Sequence, residues 1–516
     1  MAGETVERED IRERFLNSTN VLQDVKESAD VVVVGSGSGG AVVGKELAEA
    51  GLNVIIIEEG GYFDHQDFNQ DVPDMFMKLY RDNGSTLLLG RPPISLPIGK
   101  CVGGTAVINS GTCFRTPDWV LKKWEILHGI EGASSEQMRP RFERVERIIH
   151  AETLPEEVWG KNALVVKRGA DRLGLSFKPL VHCANQCKGC GTCVIGCPDG
   201  AKESPNVNYI PMAIKAGARI YSRTMVEEIR TKKGRAVGVA GYLLDENGMD
   251  KLHRIEVSAK VVVMAAGALH TPALLLKNRL ANSSGQVGRN LFVHPGSRVA
   301  AEFEERIEGW VGVPQGTYID DFEKDGILFE GIAVPPSIGA PILPFVGMEQ
   351  KEFMTRLANI ATYGILLSDS STGRVKNVGI KPIARYQLNR FDAQRMFRAL
   401  AILAKIFFAA GAVRVFPTLG NITTIKEEDI PALEKRKPNP KDLEMMAFHP
   451  LGTCRMGADP ASSVVDSNME CHDVKNLFIA DAAVFPSSLG VNPMESIMAF
   501  ATKLAEYLAG DGRGHF

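Results

Sequence analysis

The feature that most constrains the fold lies near the N-terminus, where a short apolar strand, residues 30–34, runs directly into a glycine-rich turn. The turn, residues 35–40, reads Gly-Ser-Gly-Ser-Gly-Gly and opens a helical stretch. A second apolar strand, residues 53–57, ends at Glu58, 23 residues after Gly35. Strand, G-x-G-x-x-G, helix, strand and acid in this order are the dinucleotide-binding fingerprint of doubly wound α/β sheets. The sequence therefore predicts a mixed α/β fold with a Rossmann-like nucleotide-binding domain.

Each glycine of the turn has a physical role. Gly35 permits the tight turn, Gly37 lets the backbone approach a pyrophosphate, and Gly40 lets the helix pack against the strand. The pyrophosphate would rest at the helix N-terminus, and Glu58 would accept the ribose hydroxyls. The nucleotide-binding residues predicted from this motif are Gly35, Ser36, Gly37, Ser38, Gly39, Gly40 and Glu58.

A second feature is a cluster of cysteines, since five of the nine in the chain lie between Cys183 and Cys197. From Cys187 onward the spacing is C-x2-C-x2-C-x3-C-P, the thiolate run that bacterial ferredoxins wrap around an iron–sulfur cluster. The intervening glycines would let the backbone curl closely around an inorganic core. The candidate metal ligands are Cys183, Cys187, Cys190, Cys193 and Cys197.

Three interpretations of this run remain open. The spacing favours a 4Fe-4S or 3Fe-4S cluster, in which Cys197 or Cys183 completes a four-iron site or neither does, leaving a three-iron one. A structural zinc ion would also bind four thiolates, but usually from two separated C-x2-C knuckles. Free or disulfide-paired cysteines are the third interpretation.

Composition narrows the class of protein. A net charge of −3 gives no support for a nucleic-acid or polybasic membrane partner. Residues 1–10 are acidic and lack the apolar core of a secretory signal. No uninterrupted apolar run reaches the roughly 18 to 20 residues of a transmembrane helix. Clustered cysteines without a signal favour a reducing compartment, so we expect a cytoplasmic protein.

The pattern divides the chain into successive stretches. Residues 1–29 predict a helical lead, and residues 30–295 a nucleotide-binding domain that carries the cysteine-rich loop 183–203. Over residues 296–441, strand-like runs with Pro and Gly breaks precede a long helix, which predicts a separate substrate-binding domain. Residues 442–516 return to a glycine-marked α/β pattern and are expected to rejoin the first domain.

Several further segments resemble signatures of the glucose–methanol–choline (GMC) family of FAD oxidoreductases. They match in order and spacing, so that the resemblance covers about residues 30 to 510. The segments are Gly99-Lys-Cys-Val-Gly-Gly-Thr-Ala-Val-Ile-Asn109, Gly267-Ala-Leu-His-Thr-Pro272, Gly288-Arg-Asn-Leu-Phe-Val-His-Pro295, His449-Pro-Leu-Gly-Thr-Cys454, and Ala480-Asp-Ala482 with Gly490-Val-Asn-Pro493.

The resemblance implies an architecture and a cofactor. The architecture is a discontinuous Rossmann-like FAD-binding domain plus a substrate-binding domain with an antiparallel sheet and helices. The FAD would be non-covalent, because Ile108 occupies the place where some members carry a histidine linked to the flavin. Val226 matches a position that touches adenine through its backbone. The FAD-binding residues that the resemblance implies are Gly103, Gly104, Thr105, Asn109, Val226, Ala266, Asp481, Ala482, Asn492 and Pro493.

The resemblance also implies two catalytic residues. His449 matches the family histidine that accepts the alcohol proton beside flavin N5, and an imidazole with a pKa near 6.5 is a neutral base at pH 7. Asn492 matches the second active-site position, where an amide holds the substrate oxygen and orients the reacting C–H bond. His270 and His294 lie in signature segments too, and we expect both to be structural.

These residues together indicate an FAD-dependent alcohol dehydrogenase that passes a hydride from a CH–OH group to flavin N5. The cysteine run suggests that electrons then leave singly through a cluster to an acceptor protein or a quinone. The alternatives are a GMC oxidase that returns electrons to oxygen and uses the cysteines structurally, a GMC-fold lyase without net oxidation, and a non-enzymatic electron-transfer flavoprotein. The expected substrate is a small-molecule alcohol, with residues 296–440 shaping its pocket.

Overall fold

The computed structural model describes residues 11–339, 345–420 and 422–516. Its strands, numbered in chain order, are β1 Phe15–Leu16, β2 Val25–Val34, β3 Val54–Ile57, β4 Leu87–Leu88, β5 Ile94–Ser95, β6 Thr112–Cys113, β7 Ala151–Thr153, β8 Lys178–Pro179, β9 Val181–Cys183, β10 Arg219–Tyr221, β11 Thr224–Lys232, β12 Arg235–Leu244, β13 Lys251–Met264, β14 Gly296–Glu302, β15 Thr317–Ile319, β16 Ile327–Gly331, β17 Ile360–Leu367, β18 Arg374–Val378, β19 Lys381–Arg385, β20 Arg414–Phe416 and β21 Leu477–Ile479. Its α-helices are Ser38–Glu49, Val72–Leu79, Asp118–His128, Ser135–Ile148, Gly160–Leu173, Tyr209–Lys215, Gly267–Asn278, Pro336–Gly339, Met348–Thr355, Arg390–Ala409, Ile430–Lys435 and Met494–Ala509. None of the helices in these ranges is both long and apolar enough to cross a lipid bilayer.

The larger sheet contains the nucleotide-binding motif. Its strand order is β1-β10-β3-β2-β13-β12-β11, and β21 also pairs with β13. In this order the strands β1, β10, β3, β2 and β13 run parallel, and β21 is parallel to β13. The strands β12 and β11 form an antiparallel edge. Residues 31–34, 54–57 and 261–264 are buried apolar runs, as expected where helices cover both faces of a parallel sheet. The predicted α/β fold is confirmed.

The glycine-rich turn joins β2 to the helix Ser38–Glu49, as predicted. Gly35 has a φ of +103°, and a Cβ at Gly40 would lie 1.9 Å from the Gly35 carbonyl oxygen. Only glycine tolerates both this backbone conformation and this close approach. Since β3 leads directly into Glu58, the whole strand–turn–helix–strand–acid unit forms.

The stretch before this unit differs from the predicted helical lead. Phe15–Leu16 is a strand that pairs in parallel with β10, and β2 already begins at Val25, opposite Ile255. Phe15 is buried and stacks on Tyr62 with ring centroids 4.3 Å apart. The helical prediction is therefore wrong over residues 15–29, because sheet pairing and the burial of an aromatic ring decide the local structure.

The smaller sheet is antiparallel, with the order β20-β14-β17-β16-β15-β8. The helices Arg390–Ala409 and Gly160–Leu173 pack on it, and their apolar side chains share a core with Phe329 and Tyr363. This matches the antiparallel sheet and helices expected of the substrate-binding domain. However, β8 and Gly160–Leu173 come from the stretch assigned to the first domain, so this layer extends beyond residues 296–441.

The C-terminal stretch contributes a strand to the larger sheet. β21 pairs in parallel with β13, and the helix Met494–Ala509 packs against Ser38–Glu49. The segments that follow β2, β13 and β21 therefore meet at one edge of the sheet. In open α/β sheets this carboxyl edge is where ligands bind.

Candidate active site

The nucleotide-binding turn and the first signature segment meet at Ser36. The Ser36 amide and hydroxyl donate to Glu58 Oε2 at 2.9 and 2.8 Å, and Ser36 Oγ accepts from the Gly103 amide at 3.1 Å. Burial raises the pKa of Glu58, against these hydrogen bonds. The predicted turn residues, Glu58 and the first signature segment thus lie together.

Two glycines, one in the turn and one in the second signature segment, leave room beside their backbone. A Cβ on Gly37 would have only the Gly104 Cα within 4 Å, at 3.9 Å, and a Cβ on Gly267 would contact nothing. The helix Ser38–Glu49 begins at this space, and no side chain caps its N-terminal amides. Uncapped amides beside bare glycine backbone are a ready site for a pyrophosphate.

Asp481 joins the second signature segment to the C-terminal segment. It accepts hydrogen bonds from the Gly267 amide at 2.9 Å and from the Thr271 hydroxyl at 2.5 Å, and the Ala266 amide donates to Thr271 Oγ1 at 3.1 Å. Burial raises the pKa of Asp481, against these bonds. The predicted residues Ala266, Asp481 and Ala482 are therefore brought to one edge of the sheet.

The remaining residues of the first signature occupy a short turn of 3₁₀-helix and its flank. Thr105 Oγ1 accepts from the Gly99 amide at 3.1 Å, and Asn109 Nδ2 lies 3.0 Å from Met494 Sδ. Ile108 is buried in a small core that also contains Ile195 of the cysteine loop. The first signature thus touches both the C-terminal helix and the cysteine loop.

Val226 and Pro493 are two further residues predicted to bind FAD. Val226 is buried on β11 opposite Gly241, next to a bulge in the strand pairing. Pro493 precedes the helix Met494–Ala509 directly. The roles of both residues stay predictions.

The two predicted catalytic residues lie side by side. His449 Nε2 is 3.5 Å from Asn492 Nδ2, although the residues are 43 positions apart. Asn492 is buried, whereas His449 keeps part of its surface open to the site. Desolvation lowers the pKa of His449 to about 4. The imidazole is therefore neutral at pH 7, as the sequence predicts.

The tautomer of His294 follows from its partners. Its Nε2 accepts from the Leu489 and Gly490 amides at 3.0 and 3.2 Å, so the proton of the neutral ring resides on Nδ1. That Nδ1 lies 3.3 Å from His449 Nδ1. His294 therefore donates to His449 Nδ1, and a neutral His449 carries its proton on Nε2, toward Asn492.

Glu330, which sequence reasoning did not single out, lies on β16 beside Asn492. Burial raises the pKa of Glu330 to about 7, against a hydrogen bond from Asn492 that lowers it. Glu330 Oε2 and Asn492 Oδ1 are buried and have no partner within the described ranges. The sequence signal that could have identified Glu330 is a glutamate inside the apolar strand Ile327–Gly331. A buried carboxylate without a cation partner is energetically costly, and such residues often mark functional positions.

All five candidate cysteines line one cavity. Cys187, Cys190, Cys193 and Cys197 border it together with Cys183, and none of them forms a disulfide within the described residues. Burial raises the pKa of Cys187 and raises that of Cys193 to about 12. Over the part of the chain that the structure describes, no three His, Cys, Asp or Glu side chains are arranged as a metal-binding group. The loop gathers the thiols without spacing them as ligands.

Cys183, the fifth candidate ligand, has a different partner. It lies on β9, and its buried thiol hydrogen-bonds the buried Cys113 thiol on the neighbouring strand β6. Both side chains belong to the main hydrophobic core. Cys183 thus lines the same cavity as the other four cysteines, while its thiol is hydrogen-bonded to Cys113 in the core.

Lys202 connects the cysteine loop to the first signature segment. Its buried Nζ donates to the carbonyl oxygens of Val107, Asn109 and Cys193 at 2.6, 2.7 and 2.9 Å. Three acceptors require three N–H donors, so the amine is an ammonium ion. Burial lowers the pKa of Lys202, and the surrounding cysteines, Cys193 and Cys183 foremost, oppose that shift. A buried cation therefore lies between the thiols and the predicted flavin-binding backbone.

Family models match the stretches that carry the site residues predicted from the sequence. A model described as GMC oxidoreductase matches residues 76–296, and a second with the same description matches residues 369–501. A model described as pyridine nucleotide-disulphide oxidoreductase matches residues 30–97, which contain the nucleotide-binding turn.

Relatives and solved structures agree with these matches. An uncharacterized GMC-type oxidoreductase of Mycobacterium tuberculosis is 38% identical over 93% of this chain and 75% of its own length. A long-chain-alcohol oxidase of Arabidopsis thaliana is 29% identical over 97% of this chain and 70% of its own length. A formate oxidase structure from Aspergillus oryzae has a TM-score of 0.72 at 16% identity, covering 95% of this chain and 100% of that one. The last likeness concerns the fold alone.

Proposed function

The chain belongs to the GMC oxidoreductase family and is an FAD-dependent oxidoreductase acting on CH–OH donors, and from this premise we propose that it is an alcohol dehydrogenase. The observation that carries the proposal is the 3.5 Å approach of His449 Nε2 to Asn492 Nδ2. Bound FAD supplies the hydride acceptor. The substrate is a small-molecule alcohol whose hydroxyl oxygen contacts both of these side chains.

The FAD-binding residues are those that the sequence predicts. The N-terminus of the helix Ser38–Glu49, which no described side chain caps, would bind the pyrophosphate, and residues 103–104 would place glycine backbone beside the flavin. Glu58 is positioned by Ser36 to accept ribose hydroxyls. Ile108 has no group that can attach to the flavin, so the cofactor is non-covalent at this position.

His449 and Asn492 together bind the substrate oxygen. Because His294 donates to His449 Nδ1, the Nε2–H of His449 faces the site, and one N–H of Asn492 faces it too. Two donors that converge on one oxygen stabilise the negative charge that develops there as the hydroxyl proton leaves. His449 as the proton acceptor stays the prediction from sequence, and the partners of His294 favour His449 as a donor.

Glu330 is then the group that accepts the hydroxyl proton. Its carboxylate hydrogen-bonds the Asn492 amide that also approaches His449, so both lie within reach of one substrate oxygen. A carboxylate with a pKa near 7 is a stronger base than an imidazole with a pKa near 4. Its unpartnered Oε2 is available for this proton.

Cys187, Cys190, Cys193 and Cys197 are proposed to hold an iron–sulfur cluster. The support is the C-x2-C-x2-C-x3-C-P spacing, the shared cavity and the Lys202 ammonium, which would offset the negative charge of thiolate ligands. The group would supply one-electron chemistry toward an acceptor protein or a quinone. Such a cluster persists in a reducing compartment such as the cytoplasm.

A second candidate function is that of an oxygen-using alcohol oxidase. The Arabidopsis relative, a long-chain-alcohol oxidase, is aligned over 97% of this chain. In this case the cysteine loop would be structural. The Lys202 bonds, which fix Cys193 to the backbone of Val107 and Asn109, are compatible with that role as well.

The test is anaerobic reduction of the purified yellow protein by a panel of sugars, sterols, polyols and long-chain alcohols. Bleaching of the flavin by an alcohol supports the oxidoreductase with His449 and Asn492 at its site, and no bleaching by any class contradicts the proposal. Turnover is then compared in oxygen and with a one-electron acceptor such as ferricenium. Fast turnover in oxygen alone would favour the oxidase.

Mild acid should release the FAD, and flavin that stays with the denatured chain would contradict non-covalent binding.

A further inference from the structure

The outer face of a small sheet beside the active site is basic and apolar. The register of β18 and β19 places Arg374 opposite Arg385, Lys376 opposite Ile383, and Val378 opposite Lys381. All of these side chains are exposed, whereas Val375 and Ala384 on the other face are buried. Next to them, the Leu89 amide donates to the Ala384 carbonyl, so Leu87 and Leu89 extend the exposed face. We call these eight residues the hairpin face: Leu87, Leu89, Arg374, Lys376, Val378, Lys381, Ile383 and Arg385.

The charges of this face are of one sign. Neither segment that forms it, residues 86–95 or residues 374–385, contains an aspartate or glutamate. Within the described ranges, none of its four cations forms an ion pair, whereas neighbouring cations such as Arg395 and Arg398 do. A net charge of −3 for the whole chain conceals this concentration of positive charge.

Apolar side chains stand between the cations. Val378 is 65% exposed, Leu87 52%, Leu89 49% and Ile383 37%. An acidic protein or a nucleic acid would neutralise the cations but leave these side chains in contact with polar groups. An anionic lipid surface satisfies both, because phosphates meet the cations while the apolar groups enter the interface.

The hairpin face continues directly into the active-site segments. β4 pairs with β5, and Ser95 of β5 accepts a hydrogen bond from the Ala447 amide at 2.9 Å, two residues before His449. The residue between them, Phe448, is 42% exposed. At the other end, Gly373, next to β18, exchanges hydrogen bonds with Leu291, three residues before His294. The strands that carry the face are thus linked by backbone hydrogen bonds to the segments that carry the two histidines.

We propose that the hairpin face docks the protein on an anionic phospholipid surface, with the approach to His449 beside the lipid. The energy comes from Coulomb attraction to the headgroups and from shallow insertion of the apolar side chains. Each cation near such a surface changes the partition coefficient roughly fivefold at physiological salt. Removing two lysines should therefore weaken binding about 30-fold.

The experiment is co-sedimentation of the FAD-loaded protein with vesicles of phosphatidylcholine and phosphatidylglycerol at a ratio of 70:30, against phosphatidylcholine alone. The wild type should bind only the anionic vesicles, and Lys376→Ser/Lys381→Ser should lose about 30-fold in partition coefficient. The matched control is Lys232→Ser/Lys233→Ser, which removes the same charge from the exposed turn between β11 and β12 and should bind as the wild type. Flavin reduction by a short soluble alcohol should be the same in all three proteins, which verifies folding.

A second pair of variants separates lipid from a soluble polyanion. Leu89→Ser/Val378→Ser should weaken vesicle binding but leave retention on heparin unchanged. The proposal is overturned if the two double lysine variants lose vesicle binding equally. It is also overturned if the wild type does not bind anionic vesicles. Strong heparin retention without vesicle binding overturns it as well and assigns the face to a soluble acidic partner. Since vesicle binding is measured without turnover, these results do not depend on the proposed reaction.

Discussion

His294 and His449 face each other through their Nδ1 atoms, 3.3 Å apart, although 155 positions separate them in the sequence. The Leu489 and Gly490 amides occupy Nε2 of His294, so the hydrogen bond between the rings runs in one direction only. A neutral His449 therefore presents an N–H to the substrate. In the proposed reaction His449 is a hydrogen-bond donor and Glu330 accepts the proton. Their pKa values, about 4 for His449 and about 7 for Glu330, differ enough for this division to be measured.

We expect the rate of anaerobic flavin reduction by alcohol to rise with pH, with a midpoint near 7. Burial raises the pKa of Glu330 to about 7, and the proton acceptor must be deprotonated, so activity is low below this value and full above it. His449, whose pKa is about 4, stays neutral across the range from pH 5.5 to 8.5. Stopped-flow reduction at saturating alcohol measures the profile.

Glu330→Gln should remove the midpoint as well as most of the rate. Glutamine keeps the shape and the hydrogen bond to Asn492 but cannot accept a proton, so the loss is about 10²–10⁴-fold. A wild-type profile that is flat above pH 5.5, together with a near-wild-type rate for Glu330→Gln, would return the role of base to His449.

Asn492→Ala should move the midpoint to higher pH. The hydrogen bond from Asn492 lowers the pKa of Glu330, so its removal lets burial raise that pKa further. More hydroxide is then needed to deprotonate the carboxyl, and the rate falls because one donor to the substrate oxygen is lost. A slower variant with an unshifted midpoint would restrict Asn492 to contact with the substrate.

His449→Ala should leave FAD bound and reduce the rate of flavin reduction by about 10²–10⁴-fold, as expected for the loss of a positioned acid–base or donor group. The flavin spectrum after gel filtration verifies cofactor retention. His253→Ala, in the antiparallel hairpin of β12 and β13, is the control and should reduce flavin as the wild type does. A His449→Ala enzyme that reduces flavin at the wild-type rate would exclude this residue from the reaction.

Much of the fold could be predicted because its determinants are local. The turn at Gly35 needs a positive φ and Gly40 needs a close approach to the preceding strand, and both requirements leave glycines at fixed spacing. The N-terminal lead could not be predicted in this way. Phe15 becomes a strand residue because it pairs with β10, some 200 residues later, and local propensity does not contain that contact.

The candidate site likewise combines residues that local sequence identifies with residues that only a tertiary contact reveals. His449 and Asn492 lie in recognisable segments, whereas Glu330 stands in an ordinary apolar strand and acquires its role from contact with Asn492. Cys183 lies next to the cysteine run in sequence, yet strand pairing directs its thiol to Cys113. In both cases the tertiary partner, and not the neighbouring sequence, decides the chemistry.

Cys190→Ser should abolish metal binding by the cysteine loop. If the loop holds a cluster, anaerobically prepared wild type contains about three or four iron atoms and acid-labile sulfide per chain, and it gives a paramagnetic resonance signal. Cys190 is the exposed member of the four, so serine at this position should leave the flavin core folded. Flavin reduction by substrate should survive, while turnover with a one-electron acceptor should fall sharply.

The matched variant is Cys183→Ser, which removes a thiol that lines the same cavity but is hydrogen-bonded to Cys113. It should keep its iron, and loss of iron from this variant would place Cys183 among the ligands instead.

Lys202→Met should lower the reduction potential of the cluster, because removing a buried cation makes it harder to add an electron nearby. Zinc without iron in anaerobic preparations would indicate a structural site. Iron-free wild type that turns over rapidly in oxygen would contradict the relay and favour the oxidase.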